Sequence, residues 1–249
     1  MNRFTDKVVI ITGAGSGIGK ACAERLGEEG GHLYCLDVSE AGLETLSGEL
    51  EKNGVRCLTR TCDVSDEASV NAAVDDCVEQ YGRIDALIHM AGVLRFDNTH
   101  ELELDDWKRL IDINVTGTFI INKAVLPHLV ESKGNIVNAA STASLTGLPY
   151  GAAYSASKGA VRLFTRAIAT EYAKRGVRAN SICPGDINTN MTNDIPFPEG
   201  MDMALLQRTM SLTGPTGPDV IASMVALVAS DEGRHITGEE IRVDGGILA

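Results

Sequence analysis

Aromatic side chains are scarce in this sequence. Five Phe, five Tyr and one Trp make up 4% of its 249 residues, so a core must be built mainly from Val, Ile, Leu and Ala. Positive charge is short as well: 22 Lys and Arg stand against 34 Asp and Glu, a net charge of −12. With no basic run anywhere, that balance argues against nucleic acid, anionic membrane surfaces and acidic carrier proteins as partners. The six cysteines (Cys22, Cys35, Cys57, Cys62, Cys77, Cys183) contain no Cys-x-x-Cys pair. Buried free thiols in a reducing compartment are therefore expected, with no metal site. The segment Met1 to Lys7 is polar, and the apolar run after it is far too short for a signal or membrane segment. A cytoplasmic protein with no membrane partner is expected. Internal repeats and low-complexity tracts are also lacking.

What is present is 44% apolar residues in alternating patterns. Strands are predicted at 8–12, 32–37, 55–61, 86–90, 135–139, 178–183 and 240–243. Helices are predicted at 18–29, 40–52, 65–81, 105–131, 152–175 and 218–230. Continuous apolar strands separated by helices imply an α/β fold, a doubly wound parallel sheet with helices on both faces. Right-handed crossovers then place a ligand crevice at the C-terminal ends of the strands. One unit covering residues 1–249 is expected. Five of the seven prolines fall between Pro184 and Pro218, a stretch too long for an ordinary connection. Its apolar residues, Ile195, Phe197, Met201, Met203, Leu205, Leu206, Met210 and Leu212, favour a substrate lid at about 186–217 over a disordered insertion.

A glycine-rich turn, Thr12-Gly13-Ala14-Gly15-Ser16-Gly17-Ile18-Gly19, joins the first strand to the first helix. Such a turn lets the backbone approach a pyrophosphate at a helix N-terminus, although it could merely pack a helix on a strand. Asp37 ends the second strand, 18 residues after Gly19. A carboxylate there can accept both ribose hydroxyls of an adenosine and repel a 2′-phosphate, and Ser16 offers no positive charge; NAD is expected over NADP. The bland alternative is an Asp that caps the helix near Ser39.

Tyr154 and Lys158 stand four residues apart in a predicted helix, on one face, and Ser141 lies thirteen residues before the tyrosine. A free phenol has a pKa near ~10, too high for a base at neutral pH. A neighbouring ammonium and an oxidised nicotinamide would favour the phenolate. Alone, the pair is a spacing that chance supplies often. Joined to the glycine turn and Ser141, it points to proton exchange with an alcohol or carbonyl.

These motifs resemble the short-chain dehydrogenase/reductase family, over essentially the whole chain. The resemblance implies a Rossmann-like sheet of about seven strands. It implies that Gly13, Ser16, Gly17, Ile18 and Gly19 form the cofactor turn and that Asp63-Val64 contacts the adenine. Asn114, in Asn114-Val115-Thr116-Gly117, matches the family's fourth catalytic residue beside Ser141, Tyr154 and Lys158. Tyr154 would be the acid/base, Ser141 would orient substrate, and Lys158 would bind the nicotinamide ribose and lower the Tyr pKa. Pro184-Gly185 with Ile187 and Thr189 is similar to the segment that holds the nicotinamide carboxamide. Val243-Asp244-Gly245-Gly246 resembles a C-terminal signature often found in a tetramer interface, so a homotetramer is expected.

Two positions depart from the family. His89-Met90-Ala91-Gly92 stands where Asn-Asn-Ala-Gly is common; Ala91 and Gly92 keep the close approach to cofactor, and His89 is expected to replace a structural hydrogen bond. Asp186 replaces an apolar or aromatic residue and makes the mouth of the site more polar. The implied activity is NAD-dependent interconversion of a secondary alcohol and its ketone, a hydrophobic or cyclic alcohol given the apolar lid. A hydroxy acid would want a basic anchor, for which Arg95 and Arg208 are only loose candidates. A 3-oxoacyl-thioester reductase and a non-catalytic NAD-binding regulator remain the alternatives.

Overall fold

The computed structural model describes residues 2–193 and 195–249; Met1 and Asp194, the latter inside the predicted lid, lie outside them. Seven strands form one parallel sheet: β1 (Val8–Thr12), β2 (His32–Asp37), β3 (Cys57–Thr61), β4 (Ala86–His89), β5 (Asn135–Ala139), β6 (Arg178–Pro184) and β7 (Glu240–Val243). The helices are α1 (Gly17–Glu28), α2 (Glu40–Lys52), α3 (Glu67–Tyr81), α4 (Leu104–Ile111), α5 (Gly117–Ser132), α6 (Ala143–Thr146), α7 (Ala152–Tyr172), α8 (Asn190–Asn193), α9 (Met203–Gln207) and α10 (Asp219–Ala229). Strand order is β3-β2-β1-β4-β5-β6-β7. The order reverses between β1 and β4, and a ligand crevice opens at that switch point.

The central strands are apolar on both faces because both faces are covered. Val9 and Ile11 of β1 pack with Leu26 of α1 and Val225 of α10 on one side. Val8 and Ile10 pack with Val74 of α3, Val125 of α5 and Ile168 of α7 on the other. Each such fully buried Val, Leu or Ile stabilises the fold by ~1.5–3 kcal/mol.

Two of the differences from the sequence prediction have local reasons. The third strand begins at Cys57 rather than residue 55, because the Val55 N–H caps α2 by donating to the Leu50 carbonyl at 3.0 Å. The predicted helix at 105–131 is not continuous: a π-helical turn, Asp112–Thr116, separates α4 from α5 and carries Asn114. Such an inserted turn often marks a functional site. Within the predicted lid lie α8 and α9, so that segment has helix of its own.

Candidate active site

A cavity of about 990 Å³ opens at the C-terminal ends of the strands. The glycine turn forms one wall. Gly13 has φ +68°, and a Cβ there would lie 2.8 Å from the Ala91 nitrogen; a Cβ at Gly19 would lie 2.0 Å from the Gly13 carbonyl oxygen. Only glycine lets the turn, the first helical residues and the β4 loop meet so closely. The α1 N-terminus has no side-chain cap, which leaves its first N–H groups free to meet an anion.

Asp37, at the end of β2, accepts the Gly15 N–H through Oδ2 and the Ser39 N–H through Oδ1, each at 2.9 Å. The carboxylate is thereby fixed in orientation, while the Ser39 side chain itself caps α2. Asp63 accepts from the Ser65 N–H and hydroxyl through Oδ1, at 2.9 and 2.6 Å. Both carboxylates line the cavity, with Cys62 and Val64 beside Asp63.

Across the cavity, Ser141 follows β5, and Tyr154 and Lys158 project from the first turns of α7. Lys158 is buried, and its ammonium donates to the Ala139 carbonyl at 2.8 Å. Burial pushes its pKa down to about 8. Its nitrogen lies 5.8 Å from the centre of the Tyr154 ring. Burial raises the Tyr154 phenol above its ordinary range, against a hydrogen bond with the Ser141 hydroxyl that pulls it down. The protein alone does not deliver the lowered phenol expected from the Tyr-Lys pair, because at this site desolvation outweighs the pull of Ser141.

Asn114 and His89 lie behind the cavity wall rather than in its lining. Asn114 Oδ1 accepts the Val93 N–H at 2.8 Å, and its Nδ2 donates to the Val93 carbonyl at 2.9 Å and to Ser157 Oγ at 3.0 Å. Its side chain thus clamps the β4 loop to α7. His89 is 1% exposed, and burial, then the charge on Lys158, lowers its pKa to about 3. It is neutral and hydrogen-bonds Thr12 Oγ1 at 2.7 Å and Thr118 Oγ1 at 3.0 Å. The sequence pattern did not single out Thr118 or Ser157, although Thr118 sits four residues after Asn114, where a hydroxyl reaches back along a helix.

The other predicted cofactor residues, Gly13, Ser16, Gly17, Ile18, Gly19, Ala91, Gly92, Ile187 and Thr189, all line the cavity. The lid contributes Met191, Phe197, Met203, Leu206 and Met210, facing Leu94, Phe96, Leu148 and Ile247. The Phe96 and Phe197 rings meet at 5.3 Å between centres. Neither Arg95, which pairs with Asp97 and Asp106, nor Arg208 lines it.

The family model described as short chain dehydrogenase matches residues 7–199. The chain belongs to the short-chain dehydrogenase family. Such a protein is an oxidoreductase that acts on CH–OH groups with a nicotinamide cofactor. Meso-2,3-butanediol dehydrogenase of Serratia marcescens is 39% identical over 248 residues, covering 99% of this chain and 96% of that protein. Glucose 1-dehydrogenase 2 of Bacillus subtilis (strain 168) is 36% identical over 250 residues, covering 98% and 95%. The crystal structure of levodione reductase superposes with a TM-score of 0.89 at 32% identity, covering 98% of each chain. The short-chain dehydrogenase fold therefore extends through β7, beyond the matched segment.

The residues fit a dinucleotide. The uncapped first turn of α1 lines the cavity at one end, the Asp37 carboxylate is held by two backbone N–H groups at the end of β2, and Lys158 keeps two ammonium protons beyond the one given to Ala139.

Proposed function

We propose that this dehydrogenase oxidises a secondary alcohol to its ketone with NAD rather than NADP. The observation that carries the cofactor choice is Asp37. Its carboxylate is oriented by two backbone N–H groups, and no Lys or Arg lines the cavity among its neighbours Leu36, Val38 and Cys62. A 2′-phosphate would meet that charge without a cation to offset it, whereas ribose hydroxyls would donate to it. Bound NAD supplies the hydride acceptor.

The chain's own residues handle the proton. Tyr154 takes the proton of the substrate hydroxyl as the C–H bond gives up its hydride. Ser141 hydrogen-bonds the reacting oxygen and holds it near the phenol. Lys158 binds the nicotinamide ribose and, with its positive charge, favours the phenolate as the proton arrives. Asn114 holds the β4 loop and α7 in register, so that Gly92 and Lys158 face the same cofactor segment.

The substrate end is apolar, formed by Leu94, Phe96, Leu148, Phe197, Met203 and Leu206, which suits a compact hydrophobic or cyclic alcohol. Two of the relatives act, by their names, on a diol and on a sugar. Residues 186–217 serve as a lid that excludes water as the site closes. Oxidation suits an NAD enzyme better than reduction.

We place the protein in the cytoplasm, on the strength of its six unbridged thiols. Its assembly is a homotetramer; Phe119 of α5 and Leu163 of α7, 49% and 57% exposed, supply apolar surface for helix contacts between copies. The test is formation of NADH and of NADPH across secondary alcohols, with the ketone identified, beside light scattering of the same sample. A faster reaction with NADP, or a monomer at working concentration, removes the corresponding part of the proposal.

A further inference from the structure

Asp186 is a feature of the cavity that an apolar pocket does not explain. It lines the cavity, is half-buried, and its carboxylate has no hydrogen-bond or ionic partner among the described residues. Its support is fixed. The Gly185 N–H donates to the Val243 carbonyl at 3.0 Å, and the Thr216 N–H donates to the Asp186 carbonyl at 3.2 Å. The Thr142 N–H donates to the Pro184 carbonyl at 3.0 Å, tying this segment to the loop that carries Ser141. An acceptor-only, charged group is thus held on ordered backbone beside the reacting end of the cavity.

A half-buried carboxylate without a partner favours a ligand that brings a hydrogen-bond donor and disfavours one that brings negative charge. Of the basic groups in the lining, Lys158 donates to Ala139 and Lys108 pairs with Asp105, while Arg109, next to Lys108 on α4, is exposed. Resting on the alcohol-dehydrogenase function proposed above, we infer that Asp186 selects a diol: it accepts a hydrogen bond from a second substrate hydroxyl while the first faces Tyr154 and Ser141. Only the carbon bearing the first hydroxyl is oxidised. Its hydride leaves to NAD, its hydroxyl proton leaves to Tyr154, and the second hydroxyl keeps its proton. The product is a hydroxyketone.

A site that hydrogen-bonds a substrate hydroxyl discriminates strongly against the analogue that lacks it. Asp186 is half-buried, so a diol should exceed its matched monoalcohol in kcat/KM by about 10–100-fold, below the limit for a fully enclosed polar site. The experiment compares 2,3-butanediol with 2-butanol, and cyclohexane-1,2-diol with cyclohexanol, in the native enzyme, Asp186→Asn and Asp186→Ala. Lactate and 1-amino-2-propanol serve as anionic and cationic probes. NAD affinity and melting temperature are measured on each variant to register folding.

The expected result is a diol preference that collapses by an order of magnitude or more in Asp186→Ala through a raised KM for the diol. Asp186→Asn, which keeps a carbonyl acceptor, retains part of it. Lactate is the poorest probe of the native enzyme. Equal losses on diol and monoalcohol, a native preference for the monoalcohol, or a greater preference for the amino alcohol would overturn the inference while leaving the dehydrogenase function intact. Failure of the native enzyme to oxidise any alcohol with NAD would instead remove the function on which the inference rests.

Discussion

His89 donates to Thr118, and the direction of that bond is fixed by elimination. Thr118 Oγ1 has one proton, and it goes to the Asn114 carbonyl at 2.6 Å. At 3.0 Å from the same oxygen, His89 Nε2 must therefore carry the hydrogen, which makes Nδ1 the acceptor for the Thr12 hydroxyl. Thr12 Oγ1 in turn accepts the Ala91 N–H at 3.2 Å. One oriented chain runs from the β4 loop through Thr12 and His89 to the π-turn that holds Asn114. The histidine thus makes, with one ring, a link between the strand before the glycine turn and the helix behind it.

Removing that ring takes one hydrogen bond from each of two buried hydroxyls, Thr12 and Thr118. His89→Ala should lower unfolding free energy by about 2–4 kcal/mol, from lost hydrogen bonds and a cavity together. His89→Asn should cost less, because its amide can reach Thr12 though not both hydroxyls. Urea titration of the three proteins measures this; equal stability of native and Ala forms would contradict the chain.

The same histidine makes the fold acid-sensitive. Its folded pKa of about 3 lies below the ordinary 6.5, chiefly through burial. Its contribution is complete above about pH 6.5 and is lost as pH falls towards 3, because only the unfolded chain binds the proton there. The slope is roughly 1.4 kcal/mol per pH unit. His89→Asn should therefore lose less stability than the native protein between about pH 6 and 4. Parallel curves over that window would show that His89 does not remain neutral in the fold.

The rate of oxidation should climb with pH. Tyr154 acts as base only when ionised, and its pKa is raised by burial. Log kcat/KM should then rise by about one per pH unit through neutrality. The rise should break near pH 8, where Lys158 loses the charge that favours phenolate. In Lys158→Arg the charge persists, so residual activity should climb through that point without a break. A flat profile in the native enzyme would exclude Tyr154 as the titrating base.

Asp37→Ala should weaken NAD binding by about 10–100-fold, the loss of hydrogen bonds to a charged acceptor. NADP should lose much less, because the repelling charge goes too. Equilibrium dialysis with each dinucleotide reads both. Unchanged NAD affinity would move the adenosine away from β2.

The parallel sheet was legible because its strands are continuous apolar runs, and Asp37, Ser141, Tyr154 and Lys158 because β2, β5 and α7 each bring a distinctive side chain to the same edge. The π-turn at Asp112–Thr116 was not legible: no Pro or Gly marks it, and its apolar spacing reads as ordinary helix. The His89 chain was foreseen only as a hydrogen-bonding substitute, since Thr12 and Thr118 are remote in sequence and meet only when β1, β4 and α5 pack. The burial that raises the Tyr154 phenol in the chain alone was not legible, because the spacing of Tyr and Lys carries no information on desolvation.

The central claim is that Tyr154 moves the proton in an NAD-dependent oxidation of a secondary alcohol. Its most direct test is NADH formation by native protein and Tyr154→Phe, with NAD binding measured on both. Turnover that falls at least 100-fold in the Phe form while NAD binds within about threefold is the predicted result, in keeping with the usual contribution of a positioned acid/base. Undiminished turnover in Tyr154→Phe would contradict it.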